Sequence, residues 1–197
     1  VLVYYIVPHK FQWLVLLCFS YIYYLAGGVR YVGFLLFSTL VTWLIALAVE
    51  KTEAKGSHKG ARNLLVLGLL LNFGMLGVVK YTNFAIENLN ALFHMNLRGM
   101  EILLPLGISF YTFQSSGYLL DVYWKRCEAE KNPVKYALFV SFFPQILQGP
   151  IGRYSRLAHQ LYEPHKFEGK NITRGFERIL WGFFKKMILA DWAAVFV

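Results

Sequence analysis

Charge is scarce in this chain. Of 197 residues, 16% are charged and 57% hydrophobic, whereas soluble domains carry about 25% and about 45–50%. Cysteine is scarcer still. Cys18 lies in an apolar run and Cys127 in a charged loop, so the two do not read as a bridge, and a disulfide-stapled scaffold is excluded. Glycine follows no three-residue period, which excludes a collagen-like fibre. An aromatic content of 18% excludes intrinsic disorder. No HExxH string or closely spaced His/Cys set occurs, so no metal site is expected. Acidic residues are outnumbered, 11 against 20 Lys and Arg, for a net charge of +9. A soluble nucleic-acid binder can share that charge but not the long uncharged runs. The mean hydropathy of +0.44 points to an integral membrane protein with lipid, not nucleic acid, as its environment.

Four uncharged apolar runs mark candidate spans: Phe11–Leu25 with 15 residues, Tyr31–Val49 with 19, Leu64–Val79 with 16 and Ile102–Leu120 with 19. A hydrocarbon core of about 30 Å needs about 20 helical residues. The shorter runs therefore need flanking Tyr, Trp and snorkelling Lys to reach across. The chain opens at Val1 inside a further apolar run, 1–7, and stops at Val197 inside another, so a piece of a longer chain is expected. The expected architecture is all-α and polytopic, one membrane domain over 1–197. Its spans lie near 1–7 (partial), 11–25, 31–49, 64–81, 102–123 and 179–197 (partial), with a re-entrant or broken element near 136–151. Residues Glu87–Met100 read as a short amphipathic piece at the outer surface.

Orientation follows from Lys and Arg, which favour cytoplasmic loops. With Lys10 inside, the inner loops hold Lys10, Lys51, Lys55, Lys59, Arg62, Lys125, Arg126, Lys131 and Lys135, and the outer loops hold Arg30, Lys80 and Arg98. The next loop, 152–178, is also rich in Lys and Arg. Both ends of Tyr136–Ile151 are then inside, which requires that segment to dip in and return. Pro144, Gly149 and Pro150 disfavour a straight helix there.

Lipid-facing helices avoid polar side chains, and two segments here do not. In Ile102–Tyr123, Ser109, Thr112 and Ser116 share one helical face, while Tyr111, Gln114, Tyr118 and Asp121 repeat that spacing about 100° around. Such a helix faces other protein or a cavity. The second segment, Ser141–Tyr154, combines broken backbone with Gln145 and Gln148, three residues apart. Broken backbone at membrane depth is tolerated where protein buries it or a wet cavity solvates it. Gln114, Asp121, Pro144, Gln145, Gln148, Gly149, Pro150 and Arg153 are therefore the candidate lining of a substrate passage; a packing kink is the other reading. The five histidines, His9, His58, His94, His159 and His165, all sit at surfaces or in loops, and none has the sheltered setting of a general base. Lys185 and Lys186 either snorkel from the last span or belong to an interfacial amphipathic helix beginning near Gly175.

The strings Leu104-Pro-Leu-Gly-Ile-Ser-Phe-Tyr-Thr-Phe-Gln114, Tyr118-Leu-Leu-Asp-Val-Tyr123, Phe142-Phe-Pro-Gln145, Gly149-Pro-Ile-Gly-Arg-Tyr154 and Gly175-Phe-Glu-Arg-Ile-Leu-Trp-Gly-Phe-Phe-Lys-Lys-Met-Ile-Leu-Ala-Asp191 together resemble the membrane-bound O-acyltransferase family. The resemblance is to its bacterial alginate O-acetyltransferase type, from about residue 100 onward. It implies a multi-pass inner-membrane enzyme that moves an acetyl or other short acyl group from a cytoplasmic donor to hydroxyls of an exported polysaccharide such as alginate. Acetyl-CoA or an acylated carrier is the implied donor, with no bound cofactor, and a periplasmic or secreted polysaccharide-acetylating protein is the implied partner. The family's catalytic histidine would follow residue 197, so no catalytic residue is expected in 1–197, and the piece alone is expected to be inactive. Half of a polytopic transporter and a non-catalytic scaffold of an envelope polysaccharide complex are the alternative readings.

Overall fold

The structure, a computed structural model, describes residues 2–93, 98–99, 104–146 and 151–193. Among these every regular element is helical: α1 (Leu2–Ile6), a 3-10 turn (His9–Phe11), α2 (Gln12–Ala26), α3 (Val29–Ala54), α4 (His58–Phe93), α5 (Ile108–Tyr123), α6 (Pro133–Ser141), α7 (Phe143–Ile146), α8 (Tyr154–Tyr162), α9 (Gly169–Phe184), a π-helical stretch (Lys185–Ala190) and α10 (Asp191–Ala193). Where the sequence shows no boundary, the contacts fall into two compact units, Val1–Pro164 and His165–Val197.

In the first unit, α3 and α4 are long and apolar enough to cross a membrane, with 26 and 36 residues. The sequence reading stops the second of these spans near residue 81 and starts a separate amphipathic piece at Glu87. The structure corrects this: α4 continues unbroken to Phe93. Tyr81–Phe93 contains neither Pro nor Gly, so nothing interrupts the helix after its hydrophobic stretch ends. The Asn88 amide turns back onto the Phe84 carbonyl at 2.7 Å.

The α3, α4 and α5 interface is built from small and polar groups. A Cβ on Gly68 would lie 2.8 Å from Leu119 Cδ1 and 3.0 Å from Ile45 Cγ2, so α4 approaches both neighbours at that point. One turn on, the buried Asn72 accepts from Ser38 Oγ (2.8 Å) and donates to Thr42 Oγ1 (2.9 Å). Hydrogen bonds of this kind join helices where lipid offers no competing partner. The outward faces are apolar, with Phe37, Leu40, Leu44, Val66, Leu67 and Leu70 all exposed, as lipid contact demands. On α5, Tyr111, Thr112, Gln114, Ser116, Tyr118 and Asp121 are buried while Phe113 is 47% exposed. The polar side of this helix therefore faces protein.

The segment after α5 runs out and back. Asn132 caps α6 through its side-chain oxygen, bonded to Val134 N–H at 2.9 Å, and Pro133 occupies the first turn, where a missing N–H is harmless. The helix breaks at Phe142 (ψ 107°), because a Pro ring at 144 excludes continuation through the preceding turn. Pro144 itself falls in the first turn of α7. By Ile146 the chain has reached the N-terminal end of α5: Ile146 packs so tightly on Gly107 that a Cβ there would overlap the Ile146 carbonyl. By Tyr154 it is back at the opposite end of the bundle, bonded to Glu130 just before α6. Gln148, Gly149 and Pro150 lie outside the described residues.

The second unit is amphipathic. Ile172, Phe176, Ile179, Leu180 and Phe183 share one face of α9, opposite Lys170, Arg174 and Arg178, a pattern of 3.6 period, and the apolar residues are exposed. The helix starts at Gly169, ahead of the partial span placed at 179–197. It turns π-helical at Lys185, where Lys185 lies 5.6 Å over the Trp181 ring and Lys186 pairs with Asp191.

Candidate functional site

The returning arm closes one side of a recess of about 270 Å³ whose other side is α5. Gln114 and Asp121, two turns apart on α5, line it with Tyr118, and Gly117 leaves its wall low; Gly152 and Arg153 face them from the arm. The spacing i, i+7 places Gln114 and Asp121 on one helical face, and the hairpin delivers Arg153 to that face.

Each polar group in the recess has a physical reason for its state. Breaking the helix at Phe142 leaves the Phe139 carbonyl without its usual partner, since Phe143 N–H instead reaches Ser20 Oγ at 3.3 Å. The Gln114 amide takes that carbonyl, donating at 3.0 Å, which leaves its own oxygen as an acceptor. Asp121 is held twice by Arg126: the backbone N–H of Arg126 donates to the Asp121 carbonyl at 2.8 Å, and the guanidinium stands 3.5 Å from the carboxylate. Arg126 also lies over the Trp124 ring, 4.6 Å from its centroid. Arg153, at the cap of α8, is exposed and makes no ion pair among the described residues.

The remaining sequence candidates divide. Gln145 sits behind the recess: its Oε1 is buried with no hydrogen-bond partner among the described residues, and a Cβ on Gly152 would stand 2.7 Å from it. Pro144 shapes α7 and lines no wall of the recess. Gln148, Gly149 and Pro150 are outside the described residues, so their placement in a passage stays an expectation. Sequence reasoning missed Arg126 and Trp124, which follow α5 and read as loop, and it missed Glu130 altogether.

Beyond the recess a wider concavity of about 810 Å³ lies among the loops, lined by Arg126, Lys131, Lys135 and His159 together with Glu128 and Glu163. The Tyr162 hydroxyl on its wall donates to the Lys135 carbonyl at 2.7 Å. Burial, with the nearby Glu130 carboxylate adding to it, pushes the Tyr154 and Tyr162 hydroxyls far above the ordinary phenol range, so both act as neutral donors. The described histidines are peripheral. His58 pairs with Glu53 at 2.6 Å and His159 with Glu163 at 3.3 Å, each with its ring largely exposed.

Lipid-facing apolar helices around a polar-lined hairpin define an all-α membrane protein. Relatives give the family. The chain is 33% identical over 195 residues to a probable alginate O-acetylase of Azotobacter vinelandii, covering 95% of this chain and 38% of that protein. It is 32% identical over 210 residues to a peptidoglycan O-acetyltransferase of Helicobacter pylori, covering 93% of this chain and 39% of that protein. A teichoic acid D-alanyltransferase of Lacticaseibacillus rhamnosus matches at 26% over 165 residues, 82% of this chain and 36% of that protein. The chain belongs to the membrane-bound O-acyltransferase family. It spans less than two fifths of the length of these relatives. No family model and no solved structure matches it.

Proposed function

We propose that this chain is part of a multi-pass inner-membrane O-acyltransferase that takes an acetyl group from a cytoplasmic donor and passes it toward hydroxyls of an exported polysaccharide such as alginate. The observation that carries this reading is the recess in which the hairpin brings Arg153 to Gln114 and Asp121, in a chain whose relatives bear acyltransferase names. In acyl transfer from a thioester the carbonyl carbon exchanges its C–S bond for a C–O bond. The hydroxyl proton passes to a base and then to the departing thiolate. The side-chain oxygen of Gln114 and the donors of Arg153 suit the polar portion of acetyl-CoA or an acylated carrier, and an amide binds without the cost of burying a charge. Arg126, engaged by Asp121, holds the inner rim.

No base is assigned within 1–197; the base is the family's histidine, which would follow residue 197. The Lys- and Arg-rich loops face the cytoplasm and meet anionic headgroups there, and a periplasmic or secreted partner completes the acetylation outside.

The test is complementation of a strain lacking the gene. Arg153→Ala or Gln114→Ala lowers acetyl ester on the exported polymer about tenfold, the loss expected from removing one charge-assisted hydrogen bond of about 1.5 kcal/mol, with unchanged protein in the membrane. Near-normal acetylation in both variants overturns the assignment.

A further inference from the structure

Glu130 lies in the loop between α5 and α6, and four groups converge on it. Its N–H donates to the Tyr118 hydroxyl at 2.8 Å, and its carbonyl accepts from the Trp43 indole at 2.8 Å. Its Oε1 accepts from Asn132 N–H at 2.9 Å, and its Oε2 accepts from the Tyr154 hydroxyl at 2.7 Å. An exposed loop carboxylate gains little from such partners; this one joins the cap of α6 to the start of α8, while the backbone of the same residue holds the loop to α3 and α5.

Tyr154 follows Arg153 directly. Its ring is buried against Tyr118 (4.7 Å between centroids) and edge-on to Phe139 (5.0 Å, 81°). No side chain caps the N-terminus of α8, so the Tyr154 hydroxyl is the polar tether at that end of the arm. On the other side Gly152 lies against the Gln145 amide. Arg153, itself exposed, takes its position from these two neighbours. Removing the Tyr154 hydroxyl leaves the ring in place but frees it to slide along the Tyr118 face, and Arg153 moves with it.

We propose that Glu130 is a positioning residue: through the Tyr154 hydroxyl it fixes where the returning arm presents Arg153 to the recess, and so sets affinity for the acyl donor. The second half rests on the reading of Arg153 as a donor-binding group, and the experiment separates the two.

In purified full-length protein with Cys18 and Cys127 replaced by alanine, Arg153→Cys reports the arm through its alkylation rate. Adding Tyr154→Phe or Glu130→Gln shifts that rate at least about threefold, while Glu163→Gln, which removes the exposed pair with His159 at the far end of α8, leaves it unchanged, as expected for sites that do not share a partner. An unchanged rate in both Tyr154→Phe and Glu130→Gln overturns the proposal. With Arg153 restored, each of the two variants raises the KM for the donor about five- to tenfold with kcat within about twofold, the pattern of lost binding common to ground and transition states. Tyr154→Phe adds nothing to Arg153→Ala; additive losses overturn the proposal. A shifted alkylation rate with an unaltered KM in Arg153→Ala establishes the positional link and overturns the donor-binding reading alone.

Discussion

Gly107, at the cap of α5, and Ile146, at the end of α7, meet backbone to backbone, so closely that a Cβ on Gly107 would overlap the Ile146 carbonyl. Gly107 also has φ +69°, a left-handed conformation that costs other residues roughly 1–2 kcal/mol. Both effects act in the same direction. Gly107→Ala should therefore push the tip of the hairpin away from α5 and destabilise the protein by about 3 kcal/mol or more. Gly68→Ala is the comparison. There the colliding atoms are side-chain methyl groups of Leu119 and Ile45 and not backbone, so the cost is smaller, and the gain in helix propensity of about 1 kcal/mol offsets part of it. Thermal melting in detergent checks the pair; equal melting temperatures for the two variants would count against the hairpin contact.

The thiol of Cys127 offers a prediction in pH. Burial, and after it the nearby carboxylates of Asp121 and Glu50, pushes its pKa up to about 11. A raised pKa leaves the thiol protonated at neutral pH, and only the thiolate reacts. Alkylation of Cys127 should be slow at pH 7, rise about tenfold per pH unit through pH 10, and level near 11. Mass-spectrometric labelling against Cys18→Ser protein reads it. A plateau below pH 9 would contradict the buried setting of this loop.

Much of this fold is legible in the sequence, for reasons specific to each element. The 19-residue run Tyr31–Val49 lies within α3, and the 16-residue run Leu64–Val79 within α4, because uninterrupted apolar helix is what lipid permits. The end of α4 is not legible in hydropathy: the apolar signal fades near Val79, while helix propensity carries the backbone on to Phe93. Gln114 and Asp121 pair by spacing alone. Gln145 does not follow its spacing, because the break at Phe142 turns it behind Gly152. Glu130 is invisible from sequence: one carboxylate in a charged loop reads as solvated, and its four partners come from residues 2 to 87 positions away.

Topology makes the third prediction. Glu53 at the end of α3, His58 at the start of α4 and Lys125 after α5 meet at one end of the bundle, and Tyr154 returns beside Glu130 at that same end. Single cysteines replacing Lys55, Lys131 or Lys170, with the native cysteines removed, should all resist a membrane-impermeant maleimide on intact spheroplasts and react once the membrane is opened. Labelling at 170 but not at 131 would mean that 136–151 crosses fully.

The last prediction concerns Pro144, which touches no wall of the recess yet governs it. Its ring forbids a continuous helix from α6 into α7. The resulting break at Phe142 sends Phe143 N–H to Ser20 and leaves the Phe139 carbonyl for the Gln114 amide. Alanine at 144 removes the ring. The helix can then close across Phe142, Phe143 N–H recaptures the Phe139 carbonyl, and Gln114 loses its anchor with its amide free to rotate. Pro144→Ala should not destabilise the protein, since a helical hydrogen bond replaces the one to Ser20, each worth about 1 kcal/mol. It should nonetheless lower acetyl transfer as much as Gln114→Ala does. Because both changes act through one hydrogen bond, the double variant should be no worse than either alone. Acetyl ester per unit of membrane-inserted protein is the measurement. Wild-type transfer in Pro144→Ala, or losses that add in the double variant, would show that the break and the recess are independent features of the hairpin.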